Sequence, residues 1–244
     1  MTDIIELKNV SFSVQEGDVV QDISVGFDIS KTTAIVGPAG CGKSTMLKLA
    51  AGLLVPDEGE VLYKGKNIEQ MSRQENLEFR REGAFIFQDS ALWANQSLFQ
   101  ILELPLKIHF PRMSKAEREE RIMSVVFKVG YFKDLNVRPS RLSMGEQKLI
   151  AFARSLLCEP SLLFLDEWTE SVNEAAVEIF VKIARLKQKE GSTIIFVSHD
   201  MRLIMELADF IVVIIDGKVS VKAPKDNIIS DLLLNDFCQI GIAS

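Results

Sequence analysis

With 244 residues, 47% of them apolar and 25% charged, the chain can bury a sizeable core and lies outside the disordered range. A formal charge of −6 gives nucleic acid no general attraction, so no nucleic-acid partner is expected, and Arg80 with Arg81 reads as ordinary solvated surface. No apolar run reaches the ~18 residues of a membrane span. The start "MTDIIELKNV" lacks the basic stub and apolar stretch of a signal peptide, so a cytosolic chain is expected. Cys41, Cys158 and Cys238 are scattered, odd in number and without metal-ligand spacing, which suits a reducing compartment.

In chain order, "IIELKNVSFSV" and "DISVGFDIS" alternate with period two and flank the turn-forming "QEGD", so both read as strands. "TTAIVG" is a short apolar run ending in glycine, and "KSTMLKLAAGLL" has helical spacing. "GEVLYKGKNI" reads as a further strand with a glycine-containing turn. From about Ser90 to Ser155 the character is helical: "NQSLFQILELPLKI" and "SKAEREERIMSVVFKVG" place apolar residues three and four apart, with Ser114 and Glu117 as a capping box. Strand "SLLFLDE", helix "NEAAVEIFVKIARLKQKEG", strand "STIIFVSH", helix "MRLIMELAD" and strand "FIVVIIDGKVSV" follow, and "NIISDLLLNDF" reads as a closing amphipathic helix. Such alternation with continuously apolar strands predicts a mostly parallel sheet covered on both faces.

"GPAGCGKS" fits G-x-x-x-x-G-K-[ST] between a predicted strand and a predicted helix, the context a phosphate-binding P-loop requires. The expected cradle is Gly37, Pro38, Ala39, Gly40, Cys41, Gly42, Lys43, Ser44 and the following Thr45. Its amides would point at phosphate oxygens, with the helix N-terminus adding positive potential. Lys43 is expected to reach the β- and γ-phosphates and Ser44 to ligate Mg²⁺. Cys41 contributes backbone. The second element is "SLLFLDE", where four apolar residues lead to Asp166 and Glu167 at the C-terminal end of a buried strand, the end at which ligands of open parallel sheets bind. Asp166 can hold Mg²⁺ directly or through water, and Glu167 can orient and deprotonate a water attacking the γ-phosphate.

With these motifs in this order, more than a hundred residues apart and with a helical insert between them, the chain resembles the nucleotide-binding subunit of an ATP-binding-cassette (ABC) transporter from about Ile4 to Ala223. The resemblance implies an α/β P-loop fold with a mostly parallel core sheet, an N-terminal antiparallel β-subdomain and an inserted α-helical lobe. In those terms 1–88 and 156–223 form the β-subdomain and core, 89–155 the helical lobe with the signature motif, and 224–244 a helical tail. Gln88 in "FIFQDS" is similar to the Q-loop glutamine that contacts metal and attacking water, and His199 in "IIFVSHD" to the switch histidine. "LSMGE" resembles the family's LSGGQ signature, so Ser143 and Gly145 are expected to cap the γ-phosphate held by the P-loop of a second ATP-binding subunit, with Glu146 near the ribose.

Five departures from the family pattern accompany the match. Met144 replaces a glycine, Glu146 a glutamine and Trp168 a proline; "ESVN" replaces SALD, with Asn173 at the aspartate position. Val14 falls where an aromatic stacks on adenine, with Phe12 close by on the opposite face of the strand. "FQDSALWANQSLFQILELPL" is similar to the corresponding region of Mla/Mce-type lipid-transport ATPases, whose "PL" ending lipoprotein-release ATPases share. Leu92 and Trp93 read equally as a docking surface or as helical-lobe core. The implied function is an ATP-hydrolysing, energy-coupling subunit of a transporter. It would bind ATP and Mg²⁺ in a dimer, the homodimer foremost, and drive integral-membrane permease subunits from the cytoplasmic face of the inner membrane. A soluble or regulatory cassette with weak or no hydrolysis is the second reading, motivated by Met144 and the altered D-loop.

Overall fold

The computed structural model describes residues 3–14 and 17–232. A four-stranded antiparallel sheet forms from β1 (Asp3–Val14), β2 (Gly17–Asp28), β4 (Glu58–Tyr63) and β5 (Lys66–Asn67), in the order β2-β1-β4-β5. The second sheet has six strands: β3 (Thr32–Val36), β6 (Gly83–Ile86), β7 (Leu162–Asp166), β8 (Thr193–Val197), β9 (Phe210–Ile215) and β10 (Lys218–Pro224). Their order is β10-β9-β3-β8-β7-β6, parallel except for the β9–β10 hairpin at one edge. Every residue of β3, β7 and β8 is buried. Continuous apolar strands are what a parallel sheet needs when helices cover both faces.

The helices are α1 (Lys43–Ala50), α2 (Arg73–Glu82), α3 (Leu98–His109), α4 (Lys115–Lys128), α5 (Met144–Leu156), α6 (Glu174–Lys189), α7 (Met201–Leu207) and α8 (Lys225–Leu232). Capping boxes open α2, α3, α4 and α5, each with a serine hydroxyl on the third helical amide and a Glu or Gln returning to the serine amide. At Ser114 and Glu117 the box is the one that the sequence spacing predicts. Two apolar clusters result. One joins α3, α4, α5 and α6 to the core sheet, and the other lies between the antiparallel sheet, α1 and the sheet's opposite face.

Three elements differ from the sequence expectation. Helix α1 stops at Ala50 instead of running to Leu54, because Gly52 turns left-handed at φ 59° and the Leu53 amide returns to the Lys48 carbonyl at 2.9 Å. Helix α2 is not visible in the apolar pattern, since Phe79 is its one buried residue. Arg80 on that helix is not free surface: its guanidinium donates to the Ala51 and Gly52 carbonyls at 2.8 and 2.6 Å, closing the end of α1. Strand β2 begins at Gly17, earlier than read, and Gln15 and Glu16 of the expected turn lie outside the described residues. So do Cys238 and the end of the closing helix, of which α8 covers the beginning.

Trp168 fills the space behind the end of β7. Its side chain is fully buried, stacked 5.8 Å from Phe152 of α5 and 6.1 Å from Phe180 of α6, with interplanar angles of 20° and 19°. The bulky residue after the acidic pair therefore serves as the junction of β7 with two helices.

Candidate nucleotide site

Four segments leave the core sheet at the C-terminal ends of adjacent parallel strands: 37–42 after β3, 167–173 after β7, 198–200 after β8 and 87–91 after β6. Parallel pairing puts these ends at one edge of the sheet, so residues far apart in sequence share one place.

The loop after β3 folds into a cradle only glycine permits. Gly37 has φ 155°, and a Cβ there would stand 2.1 Å from the Ile214 carbonyl oxygen. Gly42, at φ 100°, would bring a Cβ within 2.6 Å of the Val19 carbonyl oxygen. Gly40 is also left-handed but faces open space. Helix α1 starts at Lys43 without a side-chain cap, so its first amides remain available to an anion. Pro38, Ala39 and Cys41 complete the loop and Thr45 lies in the first turn of α1. The Cys41 thiol is buried and pushed above its usual range by desolvation, which argues for packing over reactivity. Lys43 folds back so that Nζ donates to the Gly37 and Pro38 carbonyls at 2.9 and 2.7 Å. The Ser44 hydroxyl donates to Asp166 Oδ1 at 2.7 Å, joining P-loop and acidic strand directly.

Burial pushes the Asp166 carboxyl up, and the Ser44 bond with Lys48, Lys148 and Lys43 pulls it part of the way back. Glu167 is likewise raised by burial and lowered again by His199, whose Nδ1 stands 3.1 Å from Glu167 Oε2. Glu167 also has φ 41°, a left-handed backbone that a glutamate adopts at a cost of about 1–2 kcal/mol. The neighbouring bonds that hold it are Glu167 N–H to the Val197 carbonyl and Glu170 N–H to the Glu167 carbonyl, each 3.2 Å. Among the described residues, no group of three or more His, Cys, Asp or Glu forms a cage for a metal. The oxygen donors here, Ser44, Asp166 and Gln88, suit a hard cation that takes its remaining ligands from phosphate.

A sequence profile of the ABC transporter family matches residues 20–170. The oligopeptide transport ATP-binding protein OppF of Haemophilus influenzae is 33% identical over 202 residues, 81% of this chain. This match spans 61% of that relative's length. The intermembrane phospholipid transport ATP-binding protein MlaF of Escherichia coli is 31% identical over 220 residues, covering 90% of this chain and 81% of the relative. The chain belongs to the ABC transporter family.

Among solved structures, the ATP-binding cassette MJ0796, in a dimeric post-hydrolysis state bound to ADP and Pi, superposes with a TM-score of 0.82 at 27% identity. That likeness covers 90% of this chain and 98% of the other. The fold is that of an ABC ATPase, with the antiparallel subdomain and mostly parallel core sheet expected from the sequence, and the chain is an ATPase cassette.

The signature segment of this cassette opens α5. Ser143 is its N-cap, and both its N–H and its hydroxyl donate to Glu146 Oε2, at 2.8 and 3.0 Å. Glu146 Oε1 accepts from Lys133 at 2.6 Å, and this bond foremost holds the carboxyl below its usual range. Met144 is exposed, and Gly145 lies against the D-loop segment, where a Cβ would stand 3.2 Å from the Ser171 carbonyl oxygen. Asn173 caps α6, its Oδ1 accepting from Ala176 N–H at 2.9 Å. No described hydrogen bond joins residues 143–146 to the P-loop. Val14 is exposed at the tip of the β1–β2 hairpin, while Phe12 packs against the core. The apolar pair after the Q-loop divides: Leu92 packs on the core, whereas Trp93 is half exposed with the Arg154 guanidinium 5.9 Å from its ring centre.

Sequence reading missed Lys148. This buried lysine on α5 donates to the carbonyls of Phe87, at 3.2 Å, and Gln88, and burial holds its ammonium below the usual lysine range. One turn and a half further on, Arg154 donates to Ala91 and Ser90 at 2.7 and 3.1 Å. Ser90 and Ala91 have φ 64° and 44°, so the clamp holds a strained backbone. The available signal was two cations within the otherwise largely apolar stretch "KLIAFARSLL". Lys148→Met strands two carbonyls. It should cost ~1–3 kcal/mol in urea unfolding and lower turnover, while ATP affinity in EDTA, read by nucleotide titration, stays within about threefold.

Proposed function

We propose that the chain binds MgATP between two copies of itself and hydrolyses it to drive a separate integral-membrane permease, to which it docks on the cytoplasmic face of the inner membrane. The single observation that carries this reading is the convergence, at one sheet edge, of the Ser44–Asp166 pair with the Glu167–His199 pair. In this reading residues 89–155 are the helical lobe, and the rest of 1–223 is the β-subdomain and core. Residues 224–244 are a tail.

The residues divide the work as follows. Lys43 leaves its two loop carbonyls and neutralises the β- and γ-phosphates, while the backbone N–H groups of 37–45, which Pro38 lacks, hold the remaining oxygens. Ser44, Asp166 and Gln88 hold Mg²⁺, which supplies charge neutralisation along the phosphates. Glu167 Oε1 takes the proton of the attacking water, and His199 fixes Glu167 through Oε2 and faces the γ-phosphate. Ser143 and Gly145 of the second copy cap the outer phosphate oxygens, and Glu146 lies near its ribose. A carboxylate raised by burial is a better proton acceptor in the water-excluded dimer than a solvated one.

Glu167→Gln keeps the side chain's shape and removes its basicity. Nucleotide binding should survive, turnover should fall at least a hundredfold, and ATP should drive a dimer visible by size-exclusion chromatography. Hydrolysis at the parent rate would remove Glu167 from the role of base. Failure of the parent itself to hydrolyse ATP would return the regulatory cassette.

Donors aimed at the γ-phosphate from a second copy act on charge that develops in the transition state, so they lower the barrier more than they strengthen binding. Lys43→Ala spoils a subunit's own P-loop and Ser143→Arg the site it offers its partner. Each variant alone should be nearly inactive, and a mixed dimer, with one intact site, should regain ATP occlusion and part of the turnover. Verified mixed dimers that neither occlude nor hydrolyse would place the signature in cis or outside the mechanism.

For the cargo we favour phospholipid. The likeness of Phe87–Leu106 to Mla-type ATPases, and the 31% identity to MlaF over 90% of the chain, support it. With its membrane subunits in vesicles, the cassette should drive ATP-dependent transfer of a fluorescent phospholipid and leave a labelled oligopeptide in place. The reverse pattern would assign it to the oligopeptide side of the family.

A further inference from the structure

The Gln88 side chain is not left to rotate. Its Nε2 donates to Glu170 Oε2 at 2.8 Å, and among the described residues Oε1 accepts no hydrogen bond. Glu170 belongs to the turn that follows the acidic pair, tied back by its N–H to the Glu167 carbonyl at 3.2 Å. Lys148 holds the backbone carbonyl of Gln88 and lies within the electrostatic reach of Glu170, Asp166 and Glu167. Gln88 is thus pinned at two points, its backbone by a cation on α5 and its amide by a carboxylate on the segment after β7.

An amide side chain has two similar ends with opposite roles. The oxygen ligates a cation, and the NH₂ group repels it. A half-turn about the last torsion exchanges them, and an exposed glutamine does so at little cost. An ionised carboxylate only accepts hydrogen bonds, so the end of Gln88 facing Glu170 must be NH₂ and the free end must be the carbonyl oxygen. Negative charge at the NH₂ end also polarises the amide and makes that oxygen a stronger donor to a metal.

We infer that Glu170 is a positioning residue that fixes the orientation of Gln88, presenting its carbonyl oxygen to the cation held by Ser44 and Asp166. This rests on the proposed role of Gln88 as a metal contact. The acid in "ESVN" then has a task of its own: it links the Q-loop to the segment that carries Glu167, so displacing either segment alters the cation's ligand.

The test is metal affinity, measured apart from turnover. In the Glu167→Gln background, which holds ATP, Mn²⁺ is titrated into the ATP complex and free ion is counted by electron paramagnetic resonance. ATP affinity is measured separately in EDTA. Gln88→Ala should weaken Mn²⁺ binding about tenfold, and Glu170→Ala should do nearly the same, as expected for loss of an outer-shell partner. Both should leave ATP affinity in EDTA within twofold. Glu170→Gln, whose own amide oxygen accepts the same bond, should recover Mn²⁺ affinity to within about threefold of the parent. Once Gln88 is alanine, Glu170→Ala should weaken Mn²⁺ no further. Unchanged Mn²⁺ affinity in Glu170→Ala beside a loss in Gln88→Ala overturns the inference and leaves the role of Gln88 standing. Additive losses, or an equal loss of ATP affinity in EDTA, overturn it as well. No effect of Gln88→Ala removes the metal role of Gln88 and this inference together.

Discussion

Two carboxylates at the end of a strand with no exposed residue set the terms for everything around them. Asp166 and Glu167 follow four buried apolar positions, and desolvation raises both above the usual carboxylate range. A buried acid is tolerated when donors and cations surround it. Here the donors come from separate parts of the chain: the Ser44 hydroxyl and Lys43 from the P-loop, Lys48 from α1, Lys148 from α5 and His199 from the end of β8. Ser44, Lys43 and His199 lie on segments that the parallel sheet brings to the same edge, and Lys148 reaches them from α5. The strand order and the electrostatics are therefore one constraint seen at two scales.

Helix α5 transmits that constraint. At its N-terminus it carries Ser143 and Gly145; further on it carries the buried Lys148 and Phe152 and the partly exposed Arg154. Phe152 stacks on Trp168 directly after the acidic pair, while Lys148 and Arg154 hold the Q-loop backbone from 87 to 91. At its exposed edge this contact is continued by Trp93, which lies against the Arg154 guanidinium. These partly buried bonds tie the Q-loop backbone to α5, because an unpaired carbonyl or cation there costs free energy.

The sequence makes some of this readable and hides the rest for physical reasons. The P-loop and the acidic strand are legible because glycine spacing and an apolar run ending in acids are local patterns, and the sheet follows from strand–helix alternation. Helix α2 is illegible because it buries little beyond Phe79, so its periodicity carries almost no apolar signal. Arg80 looks like surface charge because the carbonyls it caps lie 28 and 29 residues away. Lys148, Glu170 and the two φ-strained residues of the Q-loop are likewise defined by partners across the fold. The composition at position 168 shows that the family's proline is missing, but only packing shows that tryptophan replaces it as an aromatic joint between β7, α5 and α6.

The departures in the signature have a local logic. Glu146 lies in the first turn of α5, where a carboxylate favours the helix macrodipole, and it completes the capping box through Ser143. Lys133 neutralises it from outside the helix. The same arrangement occupies the Ser143 N–H and hydroxyl with an internal acceptor, so the chain alone holds these donors satisfied. In the proposed dimer, a phosphate from a second copy would compete with Glu146 for the Ser143 hydroxyl, while Lys133 holds the other oxygen of Glu146. Met144, next in the chain and exposed, adds apolar area at the same surface. A nucleotide end that is open in one copy and a donor set that is internally satisfied in the other would meet only when a γ-phosphate offers Ser143 a more highly charged acceptor than its own glutamate. In the proposed dimer, the helix cap of the free cassette and the cap on the γ-phosphate would draw on the same Ser143 hydroxyl.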